Sequence, residues 1–200
     1  YWLGQFADSV PVLDLPADRP RPATRTYAGA HLGRVLPSAV TSLTEVIRVA
    51  MESDYRPART VKFMAYAAEE AGLRGSRQIA AQFRQQNVNV VGVFQLDMTN
   101  FKGSVGDIYV YTDNTNAVQN QFVRDLITPY LPGAVQGNSA CGYGCSDHDA
   151  WNDQGYPASF PFEAIFGQHN GAIHSANDTM ALQSGGTAIN SVKFSQLAAA

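Results

Sequence analysis

Residues 60–70 read TVKFMAYAAEE, an apolar run that ends in two glutamates. This composition predicts a buried strand over Thr60–Ala68. Residues 90–97 repeat the pattern, because the apolar run VVGVFQL leads directly into Asp97. We therefore expect two neighbouring central strands, each ending in an acidic residue at the same edge of a sheet.

Helical and strand patterns alternate along the rest of the chain. We predict helices over residues 37–51, 116–131, 146–154 and 189–200, a helix through Ile79, Ala80 and Phe83, and further strands over residues 26–31, 107–112 and 158–162. In the helix over residues 116–131, we expect four apolar side chains to point inward: Val118, Phe122, Leu126 and Ile127. This order predicts an α/β fold, with a mostly parallel mixed sheet and helices on both faces. We expect one domain over residues 1–200, in which the proline-rich residues 1–25 form an extended lead-in.

Composition and charge exclude several classes of function. Hydrophobic residues make up 45% of the chain and charged residues 16%, which is typical of a globular protein. The formal net charge is −3 and no basic run occurs, so we expect neither a nucleic-acid partner nor a membrane-surface partner. The longest apolar stretches are much shorter than the roughly 20 residues that cross a bilayer.

The two cysteines lie close together in the segment Cys141-Gly-Tyr-Gly-Cys145. The glycines allow a tight turn, which favours a local disulfide and an oxidising compartment. Two free thiols in a reducing compartment are the alternative. This spacing is not typical of a cysteine-rich zinc site.

The acids at the strand ends are candidates for metal-assisted chemistry. Acids also cap helices, but Glu69 and Glu70 leave their strand in different directions, so one can bind a metal while the other accepts a proton from water. Histidine commonly completes such sites. Spacing alone does not choose among the four histidines, His31, His148, His169 and His174.

Five separated motifs give the chain a family resemblance. They are residues 64–76 (MAYAAEEAGLRGS), 95–100 (QLDMTN), 141–148 (CGYGCSDH), 161–163 (PFE) and 173–174, with Asp178-Thr179 behind them. From about Thr44 to the C-terminus the chain resembles the bacterial leucyl aminopeptidases of the M28 metallopeptidase family. The resemblance implies a zinc exopeptidase-like fold and a secreted, monomeric enzyme that removes leucine-like N-terminal residues from peptides.

The resemblance also implies roles for individual residues. Glu69 corresponds to the general base, and Glu70 and His174 correspond to ligands of one zinc ion. Asp97, with His31, corresponds to the ligands of a second zinc ion. Tyr143 corresponds to the residue that polarises the scissile carbonyl group.

Other matching positions concern substrate preference and the cysteines. Cys141 and Cys145 match a disulfide pair of the family. Four residues match its apolar pocket for the N-terminal side chain: Met98, Phe162, Phe166 and Ile173. His169 stands where the related enzymes have tyrosine, which predicts a more polar pocket rim.

One part of the family pattern has no counterpart. Gly33 stands where an aspartate should orient His31, and Val35 stands where an aspartate should bridge the two zinc ions. No aspartate occurs between His31 and Glu45. Either the site holds one zinc weakly or none, or the bridge comes from elsewhere, or the sequence omits a loop near residues 31–37.

These observations leave three functions open. The first is a zinc aminopeptidase that uses metal-activated water. The second is a catalytically inactive domain that keeps the fold and binds peptides. The third is an acyltransferase similar to glutaminyl cyclases, which share the fold.

Overall fold

A computed structural model describes residues 38–52 and 56–200 of the chain. The expected lead-in over residues 1–25, the expected strand over residues 26–31 and the expected loop loss near residues 31–37 lie outside these ranges. The described residues fall in one compact unit, residues 36–200. The single-domain organisation of the whole chain therefore stays a prediction.

The described part of the chain contains five α-helices, five short strands and two short 3₁₀ helices, Met180–Leu182 and Ser184–Gly186. The helices are α1 (Ser38–Glu52), α2 (Arg74–Gln85), α3 (Ala117–Tyr130), α4 (His148–Asp153) and α5 (Ile189–Ala199). The strands are β1 (Val93–Phe94), β2 (Ile108–Tyr111), β3 (Gln136–Ser139), β4 (Ala158–Ser159) and β5 (Pro161–Phe162). No helix in these ranges is both long enough and apolar enough to cross a membrane.

Residues 158–162 connect the two sheets. β4 pairs in parallel with β1, whereas β5 pairs antiparallel with β2, which also pairs in parallel with β3. The change of partner occurs at Phe160, whose carbonyl oxygen accepts a hydrogen bond from the Tyr111 N–H group at 3.0 Å. Pairing in the described residues is thus mixed and mostly parallel, which confirms the predicted α/β class.

The alternation of side chains on β2 divides the core. Ile108 and Val110 point to one face, where α3 and α5 cover them with Ile127 and Phe194. Tyr109 and Tyr111 point to the other face, against the aromatic rings of Phe160 and Phe162 and the disulfide. A third apolar cluster, around Trp151, joins α2 and α4 to β1 and β4.

The strand predicted over Thr60–Ala68 is wrong. Residues 60–66 are described without any strand ladder, and β1 pairs only with β4 in the described ranges. Met64 and Tyr66 pack against the cluster around Trp151, while Val61 and Phe63 are 52% and 41% exposed. Only one side of this apolar run is therefore covered. The run does not pair with β1 as the neighbouring strand that we expected.

Helix α3 is present where it was predicted, but its inward face is shifted. Asn116 caps its start, because the Asn116 side-chain oxygen accepts a hydrogen bond from the Gln119 N–H group at 2.9 Å. Val118 and Phe122, expected to point inward, are 80% and 60% exposed. Val123 is buried instead.

Candidate active site

Glu69 and Glu70 lie in a tight turn immediately before α2. The carbonyl oxygen of Glu69 accepts hydrogen bonds from the N–H groups of Gly72 and Leu73, at 2.9 and 2.8 Å. Gly75 closes the turn against Ala67, where an added Cβ atom would come within 2.6 Å of the Ala67 carbonyl oxygen. The close backbone contact therefore requires glycine at this position of the motif.

Glu70 and His174 are in direct contact. The Nε2 atom of His174 lies 2.7 Å from Oε1 of Glu70, and the two side chains are 64% and 70% exposed. His174 has a positive φ of 63°, a conformation that residues other than glycine rarely adopt. The pair meets at an open surface, where solvent and a ligand have access.

Glu69 is half-buried beside this pair. Burial is the largest cause that raises its pKa, to about 7, and the carboxylates of Glu70, Asp97 and Asp147 act in the same direction. His174 acts in the opposite direction. The mutual effects show that these four carboxylates share one region.

Asp97 follows β1 and is held by the side chain of Ser146. The Ser146 hydroxyl donates to Oδ2 of Asp97 at 2.8 Å and accepts from Nε2 of Gln95 at 3.3 Å. Burial raises the pKa of Asp97, while the bond from Ser146 acts against that rise. Burial also raises the pKa of Asp147, the residue after Ser146.

The disulfide between Cys141 and Cys145 is present, as predicted. Gly142 within it has a φ of 83°, and its N–H group donates to the Asp113 carboxylate. Tyr143 stands out from this loop with 58% of its surface exposed. The short loop therefore presents a phenol to solvent.

Aromatic rings connect Tyr143 to the predicted pocket. Phe166 lies 6.1 Å from Tyr143 and 5.6 Å from His169, measured between ring centroids, and His169 lies 5.9 Å from Phe162. Phe162 is buried, whereas Phe166 is 41% exposed. This row of rings presents a partly open aromatic surface.

The other two predicted pocket residues adjoin this row in different ways. Met98 is half-buried and packs against the cluster that contains Phe162. Ile173 is half-buried directly before His174.

The three histidines in the described ranges have separate environments. His148 is fully buried and stacks on Phe160 with ring centroids 4.6 Å apart, and burial lowers its pKa to about 4. His169 belongs to the aromatic row. His31 lies outside the described residues, so its expected role as a ligand stays a prediction.

Sequence reasoning did not assign roles to Gln95, Ser146 and Asp147. Gln95 and Asp97 flank Leu96 at the end of an apolar run, and Ser146 and Asp147 follow the second cysteine directly. The available signal was the presence of polar residues at the end of this apolar run and directly after the second cysteine. Their convergence depends on how β1 and the disulfide loop approach each other in space.

The donor chemistry of this region fits a divalent cation in part. The neighbouring carboxylates raise the pKa of Glu69, and among the charged groups acting on Glu69 only His174 lowers it. Glu70 and His174 supply an oxygen and an imidazole, which zinc accepts. Within the described ranges no group of three or more His, Cys, Asp or Glu side chains is arranged to hold a metal ion. Catalytic zinc typically has three protein ligands, so the described set is incomplete.

The chain is similar to known peptidases in both sequence and structure. Residues 37–196 match the sequence profile described as Peptidase family M28. A probable leucine aminopeptidase of the fungus Arthroderma otae is 40% identical over 121 residues, which are 60% of this chain and 33% of that protein. The LapA aminopeptidase of Legionella pneumophila has a TM-score of 0.75 at 36% identity, over 81% of this chain and 43% of that chain.

A more distant structure is similar in fold alone. The zinc aminopeptidase BSAP of Bacillus subtilis has a TM-score of 0.67 at 18% identity, over 81% of this chain and 39% of that chain. The chain spans about a third of the first curated relative and less than half of these solved structures. The likeness extends to fungal as well as bacterial proteins, so the expected restriction to bacterial enzymes is not supported.

Proposed function

Because the chain belongs to peptidase family M28, we propose that it is a zinc-dependent aminopeptidase that removes apolar, leucine-like N-terminal residues from peptides. The names of its relatives support an aminopeptidase in general. Because the chain spans less than half of each of these two proteins, the activity of this chain itself is a proposal. The zinc requirement and the apolar preference are proposed from the residues described above.

One arrangement carries the proposal: a half-buried glutamate with a raised pKa stands beside an exposed carboxylate–imidazole pair. A general base works best when its pKa lies near the working pH, and burial together with neighbouring carboxylates raises the pKa of Glu69 to about 7. The Glu70–His174 pair offers a zinc ion two suitable donors at a solvent-open surface. We propose that Asp97, held by Ser146, contributes a further carboxylate, and that His31 contributes from outside the described residues.

Each side chain then has a defined task. Zinc, when bound, lowers the pKa of water and polarises a carbonyl group. Glu69 accepts the proton of the attacking water on its carboxylate and returns it to the departing amine. The Tyr143 phenol donates a hydrogen bond to the oxyanion that forms on the scissile carbonyl.

The aromatic row supports the preference for apolar N-terminal side chains. Phe166 is partly exposed, Phe162 is buried, and the half-buried Met98 packs against the cluster that contains Phe162. Apolar contact with a leucine-like side chain excludes water from this surface, which favours binding. The His169 ring lies between Phe166 and Phe162 in this row, where it makes the pocket more polar than a tyrosine at the same position would.

We also propose a secreted, monomeric protein. The Cys141–Cys145 disulfide supports an oxidising compartment, because such bonds form and persist mainly outside the cytosol. Peptides are the proposed substrates, and neither nucleic acid nor membrane is a proposed partner.

A catalytically inactive peptide-binding domain is the second candidate. It is favoured by the incomplete ligand set within residues 38–52 and 56–200. The test is to measure the zinc content of the purified chain together with the hydrolysis of leucine p-nitroanilide. Zinc-dependent turnover that a chelator abolishes supports the enzyme. Peptide binding without turnover, in protein saturated with zinc, supports the second candidate.

A further inference from the structure

The loop over residues 170–178 carries His174 at its centre and is closed at its base by a hydrogen bond. Nδ2 of Asn170 donates to Oδ1 of Asp178 at 2.7 Å, and each of these two residues lies four positions from His174. The other side-chain atom of Asn170, Oδ1, accepts from the Ala172 N–H group at 3.0 Å. The Asn170–Asp178 bond therefore joins the two ends of the loop that presents the histidine.

The base of this loop is anchored to buried side chains. Nε2 of Gln183 donates to the same Oδ1 atom of Asp178 at 3.0 Å, and Oε1 of Gln183 accepts from Nδ2 of Asn100 at 3.2 Å. Asn100 is fully buried and Asn170 is 3% exposed. Because a buried amide group is costly to leave unpaired, these bonds give the base of the loop a defined position.

His174 has a backbone conformation that the rest of the loop must impose. Its φ of 63° lies in the left-handed region, which residues other than glycine rarely adopt. Such a conformation persists only where the surrounding structure determines it. The His174 side chain is 64% exposed, so packing around the imidazole contributes little. The hydrogen bonds of the loop are the restraint that remains.

Asp178 is the point at which these restraints meet. Its Oδ1 atom accepts the bond that closes the loop and the bond that anchors it. In the loop so held, Nε2 of His174 reaches Oε1 of Glu70 at 2.7 Å. Resting on the proposed zinc site, we infer that Asp178 is a positioning residue that holds His174 in the geometry needed to share a zinc ion with Glu70. The Asp178 carboxylate acts through the loop and does not itself touch the substrate.

Two substitutions of Asp178 separate its hydrogen bonds from its charge. Asp178→Ala removes the acceptor of both bonds, and we expect it to lower zinc affinity by about 10- to 100-fold, the usual effect of losing a side chain that supports a metal ligand. Asp178→Asn keeps a carbonyl oxygen of the same shape and loses only the charge, so its zinc affinity should stay close to wild type. Equal losses in the two variants would attribute the effect to charge and would overturn the inference.

Asp125→Ala is the matched control. Asp125 lies on the exposed side of α3, where its Oδ1 atom accepts a bond from Nε2 of Gln121 at 2.8 Å. This substitution removes one carboxylate and one side-chain bond, as Asp178→Ala does, but the bond lies within a single helix. Its zinc affinity is expected to equal that of the wild type.

The experiment measures zinc affinity by competition with a chelator, and amide hydrogen exchange in the metal-free chain. In Asp178→Ala we expect faster exchange at Ala172, whose N–H group is bonded to Asn170 inside the loop, and unchanged exchange in the buried strand β2. Wild-type zinc affinity or wild-type exchange at Ala172 would overturn the inference. Faster exchange in β2 as well would show a general loss of stability and would also overturn it.

The inference and the proposed function can fail separately. Turnover by the wild-type chain, together with unchanged zinc affinity in Asp178→Ala, refutes the positioning role and leaves the enzyme. Zinc binding by the wild-type chain without turnover, together with the expected loss of affinity in Asp178→Ala, refutes the enzyme and supports the positioning role. If the wild-type chain binds no zinc, the proposed zinc site fails, and exchange at Ala172 alone decides whether Asp178 holds the loop.

Discussion

The Nε2 atom of His174 lies 2.7 Å from Oε1 of Glu70, although 104 positions separate the two residues in sequence. In the proposed site these atoms are donors to one zinc ion. Removing either donor leaves the ion one ligand fewer, so we expect Glu70→Gln and His174→Gln each to lower zinc affinity by at least about tenfold. Chelator competition on the purified chain measures this. Glu45→Gln, on the exposed side of α1, is the control, and equal affinities in all three variants would contradict the assignment.

Substitution of the proposed base should separate metal binding from turnover. Glu69→Gln keeps the shape of the side chain but cannot accept a proton at neutral pH. We expect a fall in kcat of about 10²- to 10⁴-fold, with zinc content close to wild type. Hydrolysis of leucine p-nitroanilide at matched zinc occupancy measures it. Wild-type kcat in this variant would remove Glu69 from the mechanism.

The raised pKa of Glu69 also predicts how stability depends on pH. Its pKa is about 7 in the folded chain against an ordinary value of 4.5, so the folded state binds this proton more tightly than the unfolded state. The contribution of Glu69 to stability is therefore full below about pH 4.5 and is lost as the pH rises towards 7.

We expect Glu69→Gln to reduce the fall in urea midpoint between pH 4.5 and pH 8 in the presence of a chelator. Part of the slope remains, because burial also raises the pKa of Glu163 to about 7. An identical pH slope in wild type and variant would show that Glu69 titrates normally.

The partly exposed Phe166 of the aromatic row should control side-chain preference. Phe166→Ala removes a ring that is 41% exposed and leaves the buried Phe162 in place. We expect the ratio of kcat/KM for leucine to that for alanine substrates to change by about 10- to 100-fold, within the range available to an apolar pocket. Turnover of the best substrate should change less. An unaltered ratio across leucine, alanine and phenylalanine substrates would exclude this surface as the pocket.

A hydrogen bond within the core predicts an effect on stability. The indole N–H group of Trp151, which is 1% exposed, donates to the Tyr66 hydroxyl at 2.9 Å. Tyr66→Phe leaves this donor unpaired and should lower the free energy of unfolding by about 1–3 kcal/mol. Urea denaturation measures it. Tyr130→Phe, at an exposed position, should change stability by less than about 0.5 kcal/mol, and equal losses in the two variants would refute the role of the bond.

Local pattern predicted the helices and the class of fold but not all of the pairing. The period of α3 and the capping residue Asn116 are local signals, so the helix was found although its inward face was misjudged. A strand needs a partner as well as a pattern. Residues 60–66 have the apolar composition of a strand, yet no described segment pairs with them.

The candidate site was predictable where a motif was involved and not where long-range contact was involved. Glu69, Glu70 and Asp97 could be identified because each follows an apolar run. The assignment of His174 to the same zinc ion as Glu70 depended on the family resemblance, because spacing alone did not distinguish among the four histidines. The hydrogen bond from Ser146 to Asp97 depends on the approach of segments that are distant in sequence, and it has no local signal.

Polar β3 was also missed. Gln136–Ser139 lacks apolar alternation, and its residues are partly or fully exposed. Its pairing with β2 is what makes it a strand, since the backbone bonds form regardless of side-chain type.

The Cys141–Cys145 bond joins residues only four positions apart. Loop-closure entropy gives so short a crosslink about 2 kcal/mol, against about 4.7 kcal/mol for a crosslink that closes 100 residues. The bond thus acts as a local brace for the segment around Tyr143 and not as a tether for the whole chain. A chain produced in a reducing host should therefore reach its native fold first, and oxidation after purification should restore only the shape of this one loop.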